Sequence, residues 1–269
     1  MNKTKIEWCD STWNPVTGCY NNCEYCYARN IAHRFSSGGE KWCENGDIHI
    51  LDERFCGTDE EDDKANPYPY GFQPTLHRYR LNDYKDKKGR NIFVCSMADL
   101  FGDWVADCWI KEVFDACATS PQHNYLFLTK NPDRYVDLIL KEALPEEQNM
   151  WYGVTVTNKR EALTAEATMQ DMSDIAGAYL SIEPLLEDIT KDIELTLANF
   201  TDWVIIGAET GRRKEKIIPQ REWIENIVSI CKEYNVPVFM KDSLRKVWGK
   251  ELLREQPQRL QNDNHKRKN

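Results

Sequence analysis

The run Asn91-Ile-Phe-Val-Cys-Ser96 is six residues, apolar, β-branched and aromatic, and it ends on a hydroxyl. Five more runs of this kind follow: Tyr125-Leu-Phe-Leu-Thr129, Met150-Trp-Tyr-Gly-Val-Thr-Val156, Ala178-Tyr-Leu-Ser-Ile182, Trp203-Val-Ile-Ile-Gly207 and Val236-Pro-Val-Phe-Met240. Each is short and almost continuously apolar, the pattern of a strand buried on both faces. Between them the period changes to that of a helix. Asp107–Cys117 aligns Trp109, Val113, Phe114 and Cys117 on one stripe, and Arg221–Cys231 aligns Trp223, Ile224, Ile227, Val228 and Cys231. Strands alternating with helices predict βα units and a parallel sheet. With a further strand near Ser11–Val16 the expectation is an α/β fold: a partial or nearly complete (β/α) TIM-type barrel with about six to seven parallel strands.

The chain of 269 residues suits one such domain. We expect the barrel over residues 1–250 and a tail over 251–269. Residues 31–90 interrupt the alternation with Gly38-Gly39, the acids Asp59–Asp63 and a Pro-rich stretch from Asn66 to Pro74. They read as an insertion after the first βα turn that covers the barrel mouth, with Tyr68, Tyr70, Phe72, His77 and Arg80 as an aromatic-basic cluster suited to stacking on a base or to packing.

A net charge of −9 argues against a broad basic face for duplex DNA. The basic run His265–Lys268 reads as a frayed terminus. No apolar stretch reaches the ~18 residues of a membrane span, and the first ten residues carry no apolar signal region. A cytoplasmic protein without a membrane partner is expected, and its ten cysteines are then thiols or metal ligands rather than disulfides.

Three of those cysteines stand together in Gly18-Cys19-Tyr-Asn-Asn-Cys23-Glu-Tyr-Cys26. The C-x3-C-x2-C spacing lets three thiolates curl round one metal group within a single loop. If that group is a 4Fe-4S cube, one iron has no protein ligand and is open to chemistry. A closed zinc site needs four ligands, for which Cys9, Cys43, Cys56 and His33 are candidates. Three unrelated buried thiols are the third option.

The triplet, with Tyr25 before its last cysteine, resembles the signature of the radical SAM superfamily. Further blocks are similar to those of a phage-associated family of radical SAM-like proteins without a settled function: Ile6–Cys19, Pro69–Phe72, Ser96–Phe101, Phe127–Pro132, Gly153–Val156, Leu180–Leu186, Ile206–Gly211 and Val236–Lys241. They span most of residues 4–245. Cys9 and Ala208 depart from the residues expected at their positions. The resemblance implies that Cys19, Cys23 and Cys26 are at once metal ligands and catalytic residues. They would hold a 4Fe-4S cluster whose open iron binds S-adenosylmethionine. One electron, from a reductase or a flavodoxin or ferredoxin, would cleave it to methionine and a 5′-deoxyadenosyl radical that abstracts hydrogen from a substrate. The substrate is not implied; the phage association makes a nucleotide or nucleic acid one candidate. A zinc-stabilised nucleic-acid-binding protein and a radical SAM modifier of a peptide or partner protein are the alternatives.

In a βα barrel, ligands bind at the C-terminal strand ends. This places Tyr25, Ser96, Asp99, Thr129, Lys130, Thr155, Ser181, Glu183 and Glu209 as candidate cofactor-binding residues. Asp99 is a candidate for the methionyl amino group, or a helix cap. Lys130 is a candidate for the cofactor carboxylate or a substrate anion. Thr155, Thr157 and Asn158 are candidates for ribose hydroxyls. Glu183 suits ribose or an amine, or an ion pair with Lys130 or Lys241. Arg212 and Arg213 follow Glu209 as a grip for a phosphate or carboxylate, or as a solvated pair.

Overall fold

The computed structural model describes residues 4–36, 49–55, 66–175, 177–211 and 213–261. Gly38-Gly39, Cys43, Cys56, the acids 59–63, Arg212 and the run 265–268 lie outside them. In chain order the elements are β1 Ser11–Trp13, β2 Val16–Thr17, α1 Tyr27–Phe35, β3 His49–Leu51, β4 Thr75–His77, β5 Asn91–Val94, α2 Asp107–Ala118, β6 Asn124–Thr129, α3 Asp133–Leu140 and β7 Met150–Thr155. There follow α4 Lys159–Asp171, β8 Ala178–Ile182, α5 Thr190–Asn199, β9 Trp203–Ile206, α6 Arg221–Glu233, β10 Val238–Met240 and α7 Arg245–Trp248.

Seven strands form one parallel sheet in the order β1-β5-β6-β7-β8-β9-β10, the partial barrel expected. Its two edges, β1 and β10, do not pair with each other, so the barrel is open along one side. Strand parity divides the side chains cleanly. Ile92, Val94, Tyr152, Val154, Leu180, Val204, Ile206, Val238 and Met240 join the buried stripes of α2 to α6 in the outer core. The alternate residues Phe93, Leu126, Trp151, Tyr179, Trp203, Ile205 and Phe239 fill the inside of the curl, joined by Trp8 and Cys9 from the N-terminal segment. The same inward parity, continued past these rings, brings Lys130, Thr155, Ser181, Glu183 and Lys241 to the C-terminal end. Apolar rings below and polar groups above make a floor and an opening.

The first strand is split. Pro15 has no N–H to offer a ladder, and the Asn14 side chain accepts from Ser96 Oγ (3.1 Å) and Met97 N (3.0 Å). Val16 and Thr17 therefore leave the barrel and pair with β4 in a second sheet of order β2-β4-β3. Strands of two or three residues are too short to show periodicity. The interruption also starts later than residue 31, because α1 runs to Phe35 as the helix of the first βα unit. Its described part packs on the cysteine loop: Phe72 accepts from Cys19 N, and His77 meets Thr17 Oγ1 at 2.8 Å.

His77 is buried, and burial, with Arg80 nearby, pulls its imidazole down to about 2. In the unfolded chain it takes up a proton below its ordinary 6.5. The unfolded state therefore binds the extra proton there, and His77 lowers stability as pH falls, by up to about 1.4 kcal/mol per pH unit. Urea unfolding at pH 7 and 5.5 checks this. His77→Gln should lose less stability over that interval than wild type, and equal losses would rule out His77 as the cause.

The segment after residue 250 is not a tail throughout. Phe239 bridges Arg254, Glu255 O accepts from Trp203 Nε1 (3.0 Å), and Leu260 O accepts from Asn91 Nδ2 (2.7 Å). Arg259 covers the Trp151 ring at 4.6 Å. Residues 251–261 thus seal the N-terminal ends of the strands, and the barrel extends through Gln261. No helix among the described residues is long and apolar enough to cross a membrane.

Candidate active site

Gly18 opens the cysteine loop at φ +87°, and a Cβ there would lie 2.1 Å from Gln73 O, so only glycine lets this loop press against the segment before β4. Cys26 then caps α1, its sulfur accepting from Arg29 N (3.5 Å), and Cys19 Sγ accepts from Asn21 N (3.4 Å). Burial pushes the Cys19 thiol up to about 12; Asp99 and the other two cysteines add to this, while the Asn21 N–H opposes it. Cys23 is also raised by burial, with Lys130 pulling the other way. Such thiols ionise against a bound cation, as cluster ligands do.

All three cysteines line one cavity of about 1070 Å³, which includes solvent at its mouth. The same wall carries Tyr25, Ser96, Asp99, Thr129, Lys130, Thr155, Ser181, Glu183 and Glu209. Trp8, Phe93, Leu128 and Ala208 supply its apolar part, and Asn21, Tyr27, Phe72 and Lys241 complete the polar and aromatic rim. Inward strand parity is the signal that finds Phe93 and Lys241. Asn21 and Tyr27 have only their nearness to the cysteines. Thr157 and Asn158 are elsewhere: Glu161 accepts from Thr157, and Asn158 caps α4.

The polar groups differ in what remains free. Asp99 is saturated: Oδ1 accepts from Thr129 Oγ1 (2.7 Å) and Phe101 N (3.2 Å), and Oδ2 from Asn21 Nδ2 (2.9 Å) and Lys130 N (2.9 Å). It ties the cysteine loop to the ends of β5 and β6. Burial raises its carboxyl pKa against these four donors. It closes a turn rather than capping α2, whose N-cap is Ala106. Thr129 Oγ1 also accepts from Asn131 N, so both of its hydrogen-bonding roles are used. Ser96 Oγ donates to Asn14, and Ser96 O accepts from Tyr27 OH (2.8 Å). Glu183 is paired with Lys241, at a point where a Cβ on Gly207 would come within 3.0 Å of Glu183 Cγ. Glu209 is gripped by Arg213.

Lys130 is the exception. Its Nζ is sealed from solvent and, among the described residues, meets no acceptor in good hydrogen-bond geometry; Tyr25, whose ring centroid is 5.5 Å away, is the side chain that supports its charge. Burial works against its charge, but Tyr25, Glu161 and Cys23 outweigh that and hold its pKa above the ordinary value. A charged ammonium without an acceptor is costly to bury. Thr155 and Ser181 are buried and line the cavity, and no hydrogen bond among the described residues engages their hydroxyls.

Of the candidate fourth ligands for zinc, Cys9 lines a separate groove and His33 is exposed on α1. No group of three or more His, Cys, Asp or Glu among the described residues is arranged to hold a metal ion as it stands. The fit of the triplet to a cluster therefore rests on its donors: three sulfurs, two already accepting backbone N–H groups, the third beside an ammonium. In the insertion, Tyr70 stacks on His49 (4.1 Å) and Arg80 on Tyr79 (5.3 Å), which is packing, while Phe72 reaches the cavity.

A Cys-to-Ser mutant of spore photoproduct lyase has a similar structure, with a TM-score of 0.51 at 8% identity over 89% of this chain and 78% of that one. A Cys-to-Ala, Ser-to-Cys mutant of the same lyase, with bound AdoMet and dinucleoside spore photoproduct, gives 0.51 at 7% identity with the same coverage. At this identity the likeness is one of fold. No curated protein matches the chain. A family model described as "Protein of unknown function (DUF5131)" matches residues 3–267.

Proposed function

The chain belongs to the DUF5131 family of proteins of unknown function, and we propose that its cavity is the active site of a radical SAM enzyme. The observation that carries this is the meeting, around one cavity, of the C-x3-C-x2-C thiols with a buried ammonium that lacks an acceptor among the described residues. The fold supports it, being shared with a lyase solved with bound AdoMet.

With a 4Fe-4S cluster on Cys19, Cys23 and Cys26 and S-adenosylmethionine on its open iron, the chemistry supplied would be one-electron cleavage of the cofactor and hydrogen abstraction from a substrate. The chain's own residues bind, orient and exclude water. Lys130 offers its ammonium to the cofactor carboxylate. Thr155 and Ser181 present hydroxyls to the ribose. Asp99, with Asn21 and Thr129, holds the cysteine loop against the barrel, and Tyr25 screens the Lys130 charge with its ring. Glu183 and Lys241 keep each other in place at the wall. Trp8, Phe93 and Leu128 give the cavity an apolar lining that keeps water from the polar contacts. The electron comes from a reductase or a flavodoxin or ferredoxin. The likeness to a phage-associated family, with a nucleotide or nucleic acid as substrate, belongs to this proposal as well.

Anaerobic purification is expected to yield a brown protein with about four irons per chain. Dithionite and S-adenosylmethionine should then yield 5′-deoxyadenosine. A colourless protein with one zinc, or an iron-loaded one that makes no 5′-deoxyadenosine, would overturn the reading.

A further inference from the structure

The loop after β9 carries charges that none of these roles uses. Glu209 and Thr210 are on the cavity wall, and Arg213 follows three residues later. Its Nε and Nη2 donate to the two oxygens of Glu209, each at 2.7 Å, and the Glu209 side chain has no exposed surface. Ile217 N donates to the same carboxylate at 3.3 Å. The Arg213 guanidinium, with the Ile217 N–H, holds the Glu209 carboxyl below its ordinary range, so the clamp is charged at neutral pH. One edge of the guanidinium, Nε and Nη2, is thereby fixed, and its plane is set.

The remaining nitrogen, Nη1, donates to Glu24 Oε2 at 2.9 Å. Glu24 lies between Cys23 and Tyr25, which line the cavity, so the contact joins the loop after the sixth barrel strand to the cysteine loop. The two carboxylates are unequal. Glu209 is buried, whereas 77% of the Glu24 side chain is exposed. An exposed pair is worth little and exchanges readily. Lys214 and Lys216 are exposed on the same loop, and Gly211, at φ +96° with nothing within 4 Å of a Cβ, starts it in open space.

We propose that Arg213 is a phosphate-binding residue at the cavity mouth and that Glu24 stands in for the phosphate group of the substrate, which displaces it. A guanidinium with its back edge clamped and its front edge outward suits the planar, paired recognition of phosphate oxygens. The exchange replaces one anion by another, so the buried Glu209–Arg213 pair is undisturbed. This deepens the reading above by assigning the residue that would receive the phosphate of a nucleotide or nucleic acid substrate. It rests on that reading only for the bound anion being part of a substrate.

The test is fluorescence anisotropy on the anaerobically purified full chain, with a fluorescein-labelled oligo(dT) octamer as probe and dTMP and inorganic phosphate as competitors. Arg213→Gln should weaken binding roughly ten-fold. Glu24→Gln, which removes the competing carboxylate, should tighten it roughly two- to five-fold. An uncharged methylphosphonate octamer should not distinguish wild type from Glu24→Gln. Competition by dTMP would point to a mononucleotide source, and competition only by unlabelled oligomer to nucleic acid; either supports the site. No binding of any probe by wild type, or no tightening in Glu24→Gln, overturns it. The second criterion holds even if Arg213→Gln folds poorly. Iron content and 5′-deoxyadenosine formation are read separately, so loss of the radical reading and loss of the phosphate site give different results.

Discussion

Cys23→Ala should abolish 5′-deoxyadenosine formation and reduce bound iron from about four per chain towards zero, with the circular dichroism spectrum retained. Three sulfurs are the least that can hold a cube by one loop, so removing one leaves two ligands. Cys23 is the most informative of the three. Cys26 also caps α1, and Cys19 also accepts the Asn21 N–H, so substituting either disturbs local structure as well. Cys23 has no such backbone role among the described hydrogen bonds. A Cys23→Ala protein that keeps its iron and makes product at the wild-type rate would remove the triplet from the mechanism.

Lys130→Met should leave iron content unchanged and weaken S-adenosylmethionine binding about ten- to hundred-fold. The estimate follows from the loss of one charge-assisted contact in a dry site, about 1.5–3 kcal/mol. Methionine keeps most of the length and apolar stem, so packing beside Tyr25 is preserved. Equilibrium dialysis with the iron-loaded protein measures the change, and Lys130→Arg should recover part of the affinity. An unchanged dissociation constant in Lys130→Met would mean that the ammonium serves another anion.

How much of this was legible depends on where the partners are. Six of the barrel strands are readable because each is a short, almost continuously apolar run, and the helices because their stripes keep a regular period. The second sheet is hidden in strands of two and three residues. Residues 251–261 read as a tail because their contacts are made largely by carbonyls such as those of Glu255 and Leu260, and a carbonyl has no letter in a sequence.

The candidate residues share a wall because parity and strand ends are sequence properties. Their states are not. Asp99 is saturated by an amide in the cysteine loop and by backbone donors up to 31 residues away. Nothing in Gly207-Ala-Glu-Thr-Gly211 shows that Glu209 will be taken by Arg213. For Lys130 the spacing cannot separate an exposed lysine from one with its nitrogen sealed.

The arrangement under the barrel has a bearing on how the protein is made. Leu260 and Arg259 close over rings contributed by strands synthesised long before them. While the ribosome still covers these last residues, the underside of the sheet has no lid, and Trp151 and Trp203 are open to water or to a chaperone. A message cut short just past residue 250 would encode every barrel strand and all three cysteines of the triplet, yet release a chain whose underside is left uncovered, which should favour aggregation.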